Sequence, residues 1–389
     1  MKDTMSKEER LQAVFRLQVP DRVPVAPLLG YFLSKYSGIT SAELWSDEKK
    51  RMFAWEKFYN ELGPIDAIYH DNSSEPLSQL WTIPMKTLWP GKELPPTAQA
   101  QQMEAEVMTI EDYQSLIHPG IIPKTQVYGI FLTKILRRTY TGLPQNLILM
   151  IPTLYWKLFL DTLWFRSFRK LWEKRGVPRL WGSALMAPFD NFSLLRSIAP
   201  FSRDIFQRPD EIAAAANACV DSFVFLSELV AGIIGTKRTW IFLHRSSNSF
   251  ISPQQFKSLS FPSLQAITSK LAAKGFDLIL HCDGNWDKNL EIMLDLPPRK
   301  CLFQFDGTSD IFRAKEILKG HSSIYGDVPA ELLATGNPGE VDQYCRKLIE
   351  IVGRGGGFCL GSGCELAPDA KPENVRVMLA SVKKYGYYA

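Results

Sequence analysis

Residues 276–286 read Phe-Asp-Leu-Ile-Leu-His-Cys-Asp-Gly-Asn-Trp. An apolar, β-prone run ends in three side chains of metal-ligand type, and Gly284-Asn285 then turns the chain. This is the pattern of a buried strand that delivers chemistry at its carboxyl end, where α/β barrels and doubly wound sheets place their ligands. Side chains alternate between faces along a strand, so His281 and Asp283 share one face and Cys282 points to the other. A second knot, Gly361-Ser362-Gly363-Cys364-Glu365, follows another apolar run. The two strand ends are expected to meet around a metal or a substrate.

Runs of the same kind recur on either side. Strands are predicted over 180–185, 239–243, 276–280, 301–305, 323–326 and 357–360. Helices are predicted between them, over 211–230, 253–273, 288–294, 311–319, 338–351 and 372–384. Asn337-Pro338-Gly339-Glu340 supplies a cap, a first-turn proline and an acid at the third position. Toward the N-terminus, Ser6 and Glu9 mark the start of a helix over 6–18. Val23-Pro24-Val25 opens an extended segment, a second helix covers 45–62, and Ile65–Tyr69 forms a short strand that ends at His70-Asp71. Residues 79–108 read as hairpin-like and irregular.

Strands alternating with helices imply a parallel sheet with right-handed crossovers. With the two N-terminal strands there are about eight β/α units, the number that closes a barrel. The expected fold class is α/β: a (β/α)8 TIM barrel with an N-terminal helical extension and a helical, lid-like insertion. Residues 1–389 are expected to form one barrel domain.

The insertion is residues 120–178. Leu147–Phe165 is almost wholly apolar and aromatic, but Pro152, Lys157 and Asp161 interrupt it, which argues against a membrane span. Arg137, Arg138, Arg166, Arg169, Lys170, Lys174 and Arg175 flank it. The first reading is a helical insertion packed over the barrel mouth. A peripheral membrane contact and a partner-docking surface are the alternatives.

Hydrophobic residues make up 46% of the 389 and charged residues 22%, as in a globular protein with a sizeable core. A net charge of +4 is too mild to argue for nucleic acid. Six scattered cysteines in a chain of this length read as free thiols in a reducing compartment. Met1–Arg10 has no apolar run of signal-peptide length, so the expected location is the cytoplasm. The oligomeric state is left open.

A histidine nitrogen, an aspartate oxygen and a later cysteine sulfur make a three-ligand zinc site with an open fourth position. His281, Asp283 and Cys364 are that set, with Cys282 as the alternative ligand. The competing reading is a hydrogen-bonded polar cluster without metal. Asp71, Asp306 and Asp327 are acids at strand ends; they either converge for proton transfer or serve as caps and loop acids. His244, Asp327 and Asn285 are the candidate substrate contacts, with His244-Arg245 placed to meet an anionic or phenolic group.

Several stretches, in order, resemble the uroporphyrinogen decarboxylase superfamily. They are Pro20-Asp21-Arg22-Val23-Pro24-Val25, Ala187-Pro188-Phe189-Asp190, Ile251–Phe256, the His281 stretch, Gly326-Asp327-Val328-Pro329 with Gly336-Asn337-Pro338, and Gly361–Val375. The resemblance covers nearly the whole chain outside 120–178. It implies a (β/α)8 barrel with its site at the carboxyl face and one of two chemistries. One is metal-free decarboxylation of uroporphyrinogen acetate arms; the other is zinc-dependent methyl transfer involving a corrinoid on a separate protein. The decarboxylase branch holds its polyanionic substrate with an arginine-rich segment where this chain has Pro27-Leu28-Leu29-Gly30-Tyr31, and its late histidine is Ser362 here. Its catalytic aspartate has a possible counterpart in Asp71.

The methyltransferase branch binds zinc through a His-x-Cys pair and a late Cys, matched here by His281, Asp283 in place of the first Cys, and Cys364. The resemblance therefore implies a methyltransferase that moves a methyl group from a small donor to a corrinoid (cobalamin) protein; with Asp283 in place of a thiolate the zinc is a stronger Lewis acid, which suits a methoxylated donor and an O-demethylation. Zinc polarises the oxygen in that reading, and Glu365 or Asp306 relays a proton. A decarboxylase-like enzyme on another carboxylated substrate and a non-catalytic tetrapyrrole or small-ligand binder are the alternatives.

Overall fold

The computed structural model describes residues 3–69, 85–140 and 172–388. Two short strands, β1 (Lys86–Leu88) and β2 (Gln101–Met103), form an antiparallel hairpin. The remaining six are β3 (Ser183–Met186), β4 (Arg238–Leu243), β5 (Asp277–Cys282), β6 (Cys301–Phe305), β7 (Ser323–Val328) and β8 (Phe358–Ser362). They pair in parallel in sequence order.

Two extended segments close the ring. Residues 23–26 lie against β8: Ala26 N–H donates to Leu360 O and Leu360 N–H to Pro24 O, each at 2.9 Å. Residues 65–69 come next, with Asp66 N–H on Val25 O at 2.8 Å. On the far side, Ile68 N–H donates to Pro178 O and Leu180 N–H to Ile68 O, in parallel register with the chain that enters β3. Eight staves therefore make a closed barrel, as the alternation of runs predicts.

Strand alternation sorts the core into two layers. Ala26, Ala67, Tyr69, Trp240, Ile279, Leu302, Tyr325 and Cys359 fill the barrel interior. Their neighbours Ile241, Leu278, Leu280, Cys282, Phe303, Phe305, Ile324 and Leu360 face the outer helices. The helix Lys7–Phe15 plugs the floor, because Leu11, Val14 and Phe15 fall on one face and insert among the inner residues. Its start carries the expected Ser6–Glu9 capping box.

Below the plug, Asp66 is 1% exposed and accepts from both Arg10 and Arg22 at 2.7 Å. Arg10 also pairs with Asp21 at 2.7 Å. Two buried guanidiniums and two carboxylates thus tie the first two staves to the N-terminal helix.

Boundaries differ from expectation at several elements. β5 runs on through His281 and Cys282, because Phe242 on β4 and Gln304 on β6 are in register with His281 and complete its pairing. The helix expected over 45–62 is two, Ser41–Ser46 and Glu48–Glu61, because extended Asp47 caps the second through the N–H of Lys50. Residues 288–294 form no α-helix; only a short 3-10 turn, Ile292–Asp295, lies there.

Among the described residues of 120–178, the first part lies against an outer helix, and Trp172 packs on Trp55 of the helix Glu48–Glu61, with ring centroids 5.4 Å apart. The helix Val127–Thr139 packs on Val220–Ile234, with the Tyr128 and Phe223 rings 4.3 Å apart. Ser222 Oγ donates to Lys124 O at 2.7 Å. Leu147–Phe165 lies outside the described residues. Among the described residues one helical run, Pro209–Ile234, is long and apolar enough to cross a membrane by length and composition. Here it is two helices, Pro209–Ala218 and Val220–Ile234, whose buried residues join the outer core.

Candidate metal centre at the barrel mouth

β4, β5 and β8 each end in a polar residue directed at the mouth. His244 follows β4, Asp283 follows β5, and Cys364 stands two residues beyond β8. His281 is the last inward residue of β5 and is 4% exposed. Its ring rests on an aromatic floor, 5.2 Å from the Trp240 centroid and 5.5 Å from that of Phe242.

Asp283 lies between two imidazoles. Its Oδ1 is 3.0 Å from His281 Nε2 and its Oδ2 is 3.0 Å from His244 Nε2. Ligand atoms of the three residues lie within 4.8 Å of one another. Cys364 is near enough to act on the charge of the His281 ring, though it is not one of the mutually close three. The residues of the two distant knots therefore meet, and His244 joins them.

A buried polar frame orients both histidines. On β6, Gln304 is fully buried and its amide nitrogen donates to Phe305 O at 2.8 Å and Gly363 O at 2.5 Å. With the NH2 committed, its Oε1 faces the ring and accepts from His281 Nδ1. With Nδ1–H committed to Gln304, Nε2 is the atom turned toward Asp283; in the protonated ring it donates to Asp283 Oδ1, and it would give up that proton to bind a metal. Asp190, also fully buried, accepts from His244 N–H at 2.8 Å, Ser246 N–H at 2.9 Å and Ser246 Oγ at 2.8 Å. That fixes the turn from which the His244 ring projects.

The charges follow from this packing. Burial lowers the basicity of His281, but the adjacent Asp283 carboxylate and Cys364 more than offset it, so the ring titrates well above the ordinary histidine range. Burial raises Asp283, and the two imidazoles outweigh it, so Asp283 titrates below the usual range. His244 is pushed down to about 4 by burial, against the pull of Asp283 and with repulsion from His281.

Two imidazole nitrogens and a carboxylate are an ordinary donor set for Zn2+. Ligand atoms about 2.0–2.2 Å from a tetrahedral zinc stand about 3.3–3.6 Å apart, so the two 3.0 Å separations here, each to a different oxygen of Asp283, would open by a few tenths of an ångström around the ion. Gln304 on His281 Nδ1 matches the outer partner that metal-bound histidines carry. The residues present therefore fit the ion.

The other candidates fall elsewhere. Cys282 is 0% exposed, faces the outer core, and is pushed well above the thiol range by burial, so it does not serve as the alternative ligand. Asp306, expected as a proton relay, spends its carboxylate on loops. Oδ2 accepts from Gly284 N–H at 2.7 Å and Oδ1 from Thr308 N–H at 2.9 Å. Asp327, expected on the substrate, is 1% exposed and accepts from Tyr344 OH on the outer helix Pro338–Lys347 at 2.9 Å. Asn285 builds the turn instead, donating to Asp287 Oδ2 at 2.9 Å and Thr308 O at 3.2 Å. Glu365 packs on the loop after the first stave; a Cβ on Gly30 would stand 2.7 Å from its Oε2. Asp71 lies outside the described residues.

Two residues were missed. Gln304 is a polar residue in the run Cys-Leu-Phe-Gln-Phe, at an inward position, which is the signal that marks it. Asp190 sits just beyond a strand end, at the first turn of the helix Pro188–Leu195.

A family model described as Uroporphyrinogen decarboxylase (URO-D) matches residues 176–385, more than half of the chain. No curated protein matches the sequence. Among solved structures, a methyltransferase from Methanosarcina mazei superposes with a TM-score of 0.70 at 17% identity, covering 98% of this chain and 99% of that one. At that identity the likeness is one of fold.

Proposed function

Since the chain belongs to the uroporphyrinogen decarboxylase family, we propose that it is a zinc-dependent methyltransferase of that superfamily. It moves a methyl group from a small methoxylated compound to a corrinoid carried by a partner protein. The observation that carries the reading is the Asp283 carboxylate set between His281 Nε2 and His244 Nε2, 3.0 Å from each. Zn2+ would be held by His281 and Asp283, with His244 and Cys364 adjoining, and would supply Lewis acidity to the methyl-bearing oxygen.

The chain's own residues bind, orient and exclude water. Asp283 balances part of the cationic charge at the mouth. Gln304 and Asp190 hold the two rings so that neither turns away when the donor enters. Partly exposed Phe242, beside His281, gives the pocket an apolar wall suited to an uncharged donor. We place residues 120–178 within the same single domain as an insertion.

A decarboxylase reading needs cationic groups for a carboxylated substrate. Arg245, beside His244, is paired with Glu104 at 2.9 Å and donates to Ser193 O, which weighs against that reading.

The test has two parts. Elemental analysis of the purified protein is expected to show close to one zinc per chain. The loaded protein, mixed with reduced cobalamin and a panel of methoxylated aromatics, is expected to methylate the cobalamin, followed by its absorbance. A protein that takes up no zinc and methylates nothing sinks the proposal.

A further inference from the structure

We infer that Gln304 is a positioning residue that couples the His281 end of the metal centre to the Cys364 end, so that one buried amide brings both to the same ion. The inference rests on the zinc reading above.

The geometry carries it. Gln304 and His281 are paired across β6 and β5, so their inward side chains lie side by side. The β5–β6–β7–β8 order puts β8 two strands away from β6, yet the Gln304 amide reaches Gly363 O at 2.5 Å. Gly363 is the residue before Cys364. Both polar atoms of the amide are thereby engaged: Oε1 on the imidazole, and the NH2 on two carbonyls, Phe305 O and Gly363 O. A glutamine with no exposed surface and every polar atom matched is a rigid spacer. One end fixes which imidazole nitrogen is free. The other sets how far the Gly363-Cys364 turn stands from that nitrogen. An apolar residue of the same length fills the space but does neither.

Four proteins test this: wild type, Gln304→Met, Gln304→Glu and Cys364→Ala. Zn2+ affinity is measured by competition with a chromophoric chelator. Cys364 ligation is measured by the thiolate-to-cobalt charge-transfer absorption of the Co2+-loaded proteins. Gln304→Met is expected to lose about 10- to 100-fold in zinc affinity and to lose the charge-transfer band, as Cys364→Ala does. Gln304→Glu keeps an acceptor for His281 Nδ1–H but has no donor for Gly363 O. It is expected to recover most of the affinity and not the band, a split that a merely structural role does not produce.

If wild type binds zinc and Gln304→Met matches it in affinity and spectrum, the inference fails and the zinc reading stands. A wild type that binds cobalt without the band removes Cys364 from the ion and overturns the coupling. A wild type that binds neither metal overturns both. Should Gln304→Met fail to fold, the divergence of affinity and band in Gln304→Glu decides the matter alone.

Discussion

Asp190 accepts a hydrogen bond from the backbone N–H of His244 at 2.8 Å, across 54 positions of sequence. Its other bonds reach Ser246, and burial raises it to about 6 against those bonds. Asp190→Ala leaves two backbone donors without their acceptor inside the fold. The expected cost is about 2–4 kcal/mol in chemical unfolding. Zinc affinity is expected to fall although no ligand has changed, because His244 is released from its fixed turn. Unchanged zinc affinity in a folded Asp190→Ala protein would show that the turn does not place the ring.

His281→Ala removes a proposed ligand and leaves Asp283 and Gln304 Oε1 without their shared partner. Loss of bound zinc is expected, measured by elemental analysis after dialysis. His244→Ala separates the present geometry from the ligand set expected from sequence. If His244 shares the ion, zinc affinity falls by at least about tenfold, the scale on which a lost metal-orienting contact registers. Retention of full affinity would return the third position to Cys364 alone.

Asp327 couples stability to pH. Burial pushes it up to about 7, opposed by the Tyr344 hydroxyl. Its folded value lies above its unfolded value of about 3.8, so its contribution is fully present below that and is lost as pH rises toward 7. Between about pH 4 and 7 the slope approaches 1.4 kcal/mol per pH unit at most. Asp327→Asn keeps an acceptor for Tyr344 and is expected to flatten this part of the profile. The measurement is urea unfolding at a series of pH values, and an unchanged slope would assign the dependence to other groups.

Asp66→Ala strands Arg10 and Arg22, both almost fully buried, without one of their shared carboxylates. Breaking a buried ion pair from one side costs about 3–5 kcal/mol. Replacing Arg10, Arg22, Asp21 and Asp66 together with apolar residues removes both partners of each buried pair and is expected to cost much less. Thermal unfolding of the single and quadruple variants compares the two.

The barrel was legible because its strands are short apolar runs set off by glycine, proline and helix caps, and parity alone put His281 and Asp283 on one side. Pairing was not legible. His244 reads as a strand-end histidine, and only the β4–β5 register brings it to Asp283. Gln304 looks out of place in an apolar strand until the ring it supports is seen. The acids failed for the opposite reason. Asp306 and Asp327 sit where a reactive carboxylate belongs, yet nearby donors consume both, Thr308 and Gly284 in one case and Tyr344 in the other. Sequence position shows that an acid is near the mouth, and only local bonding shows whether it is spare.

The ring of staves has a seam between residues 23–26 and β8, and the C-terminal tail crosses it again, with Tyr388 N–H on Asp21 O at 3.2 Å. The earliest stave to leave the ribosome is thus matched with nearly the latest. During synthesis the N-terminal staves have one edge unpaired until some 330 further residues have emerged, on the order of 20–60 seconds at ordinary translation rates. Unpaired edges of that kind recruit foreign strands. The order of the staves therefore makes closure of the ring a late event in the life of the chain.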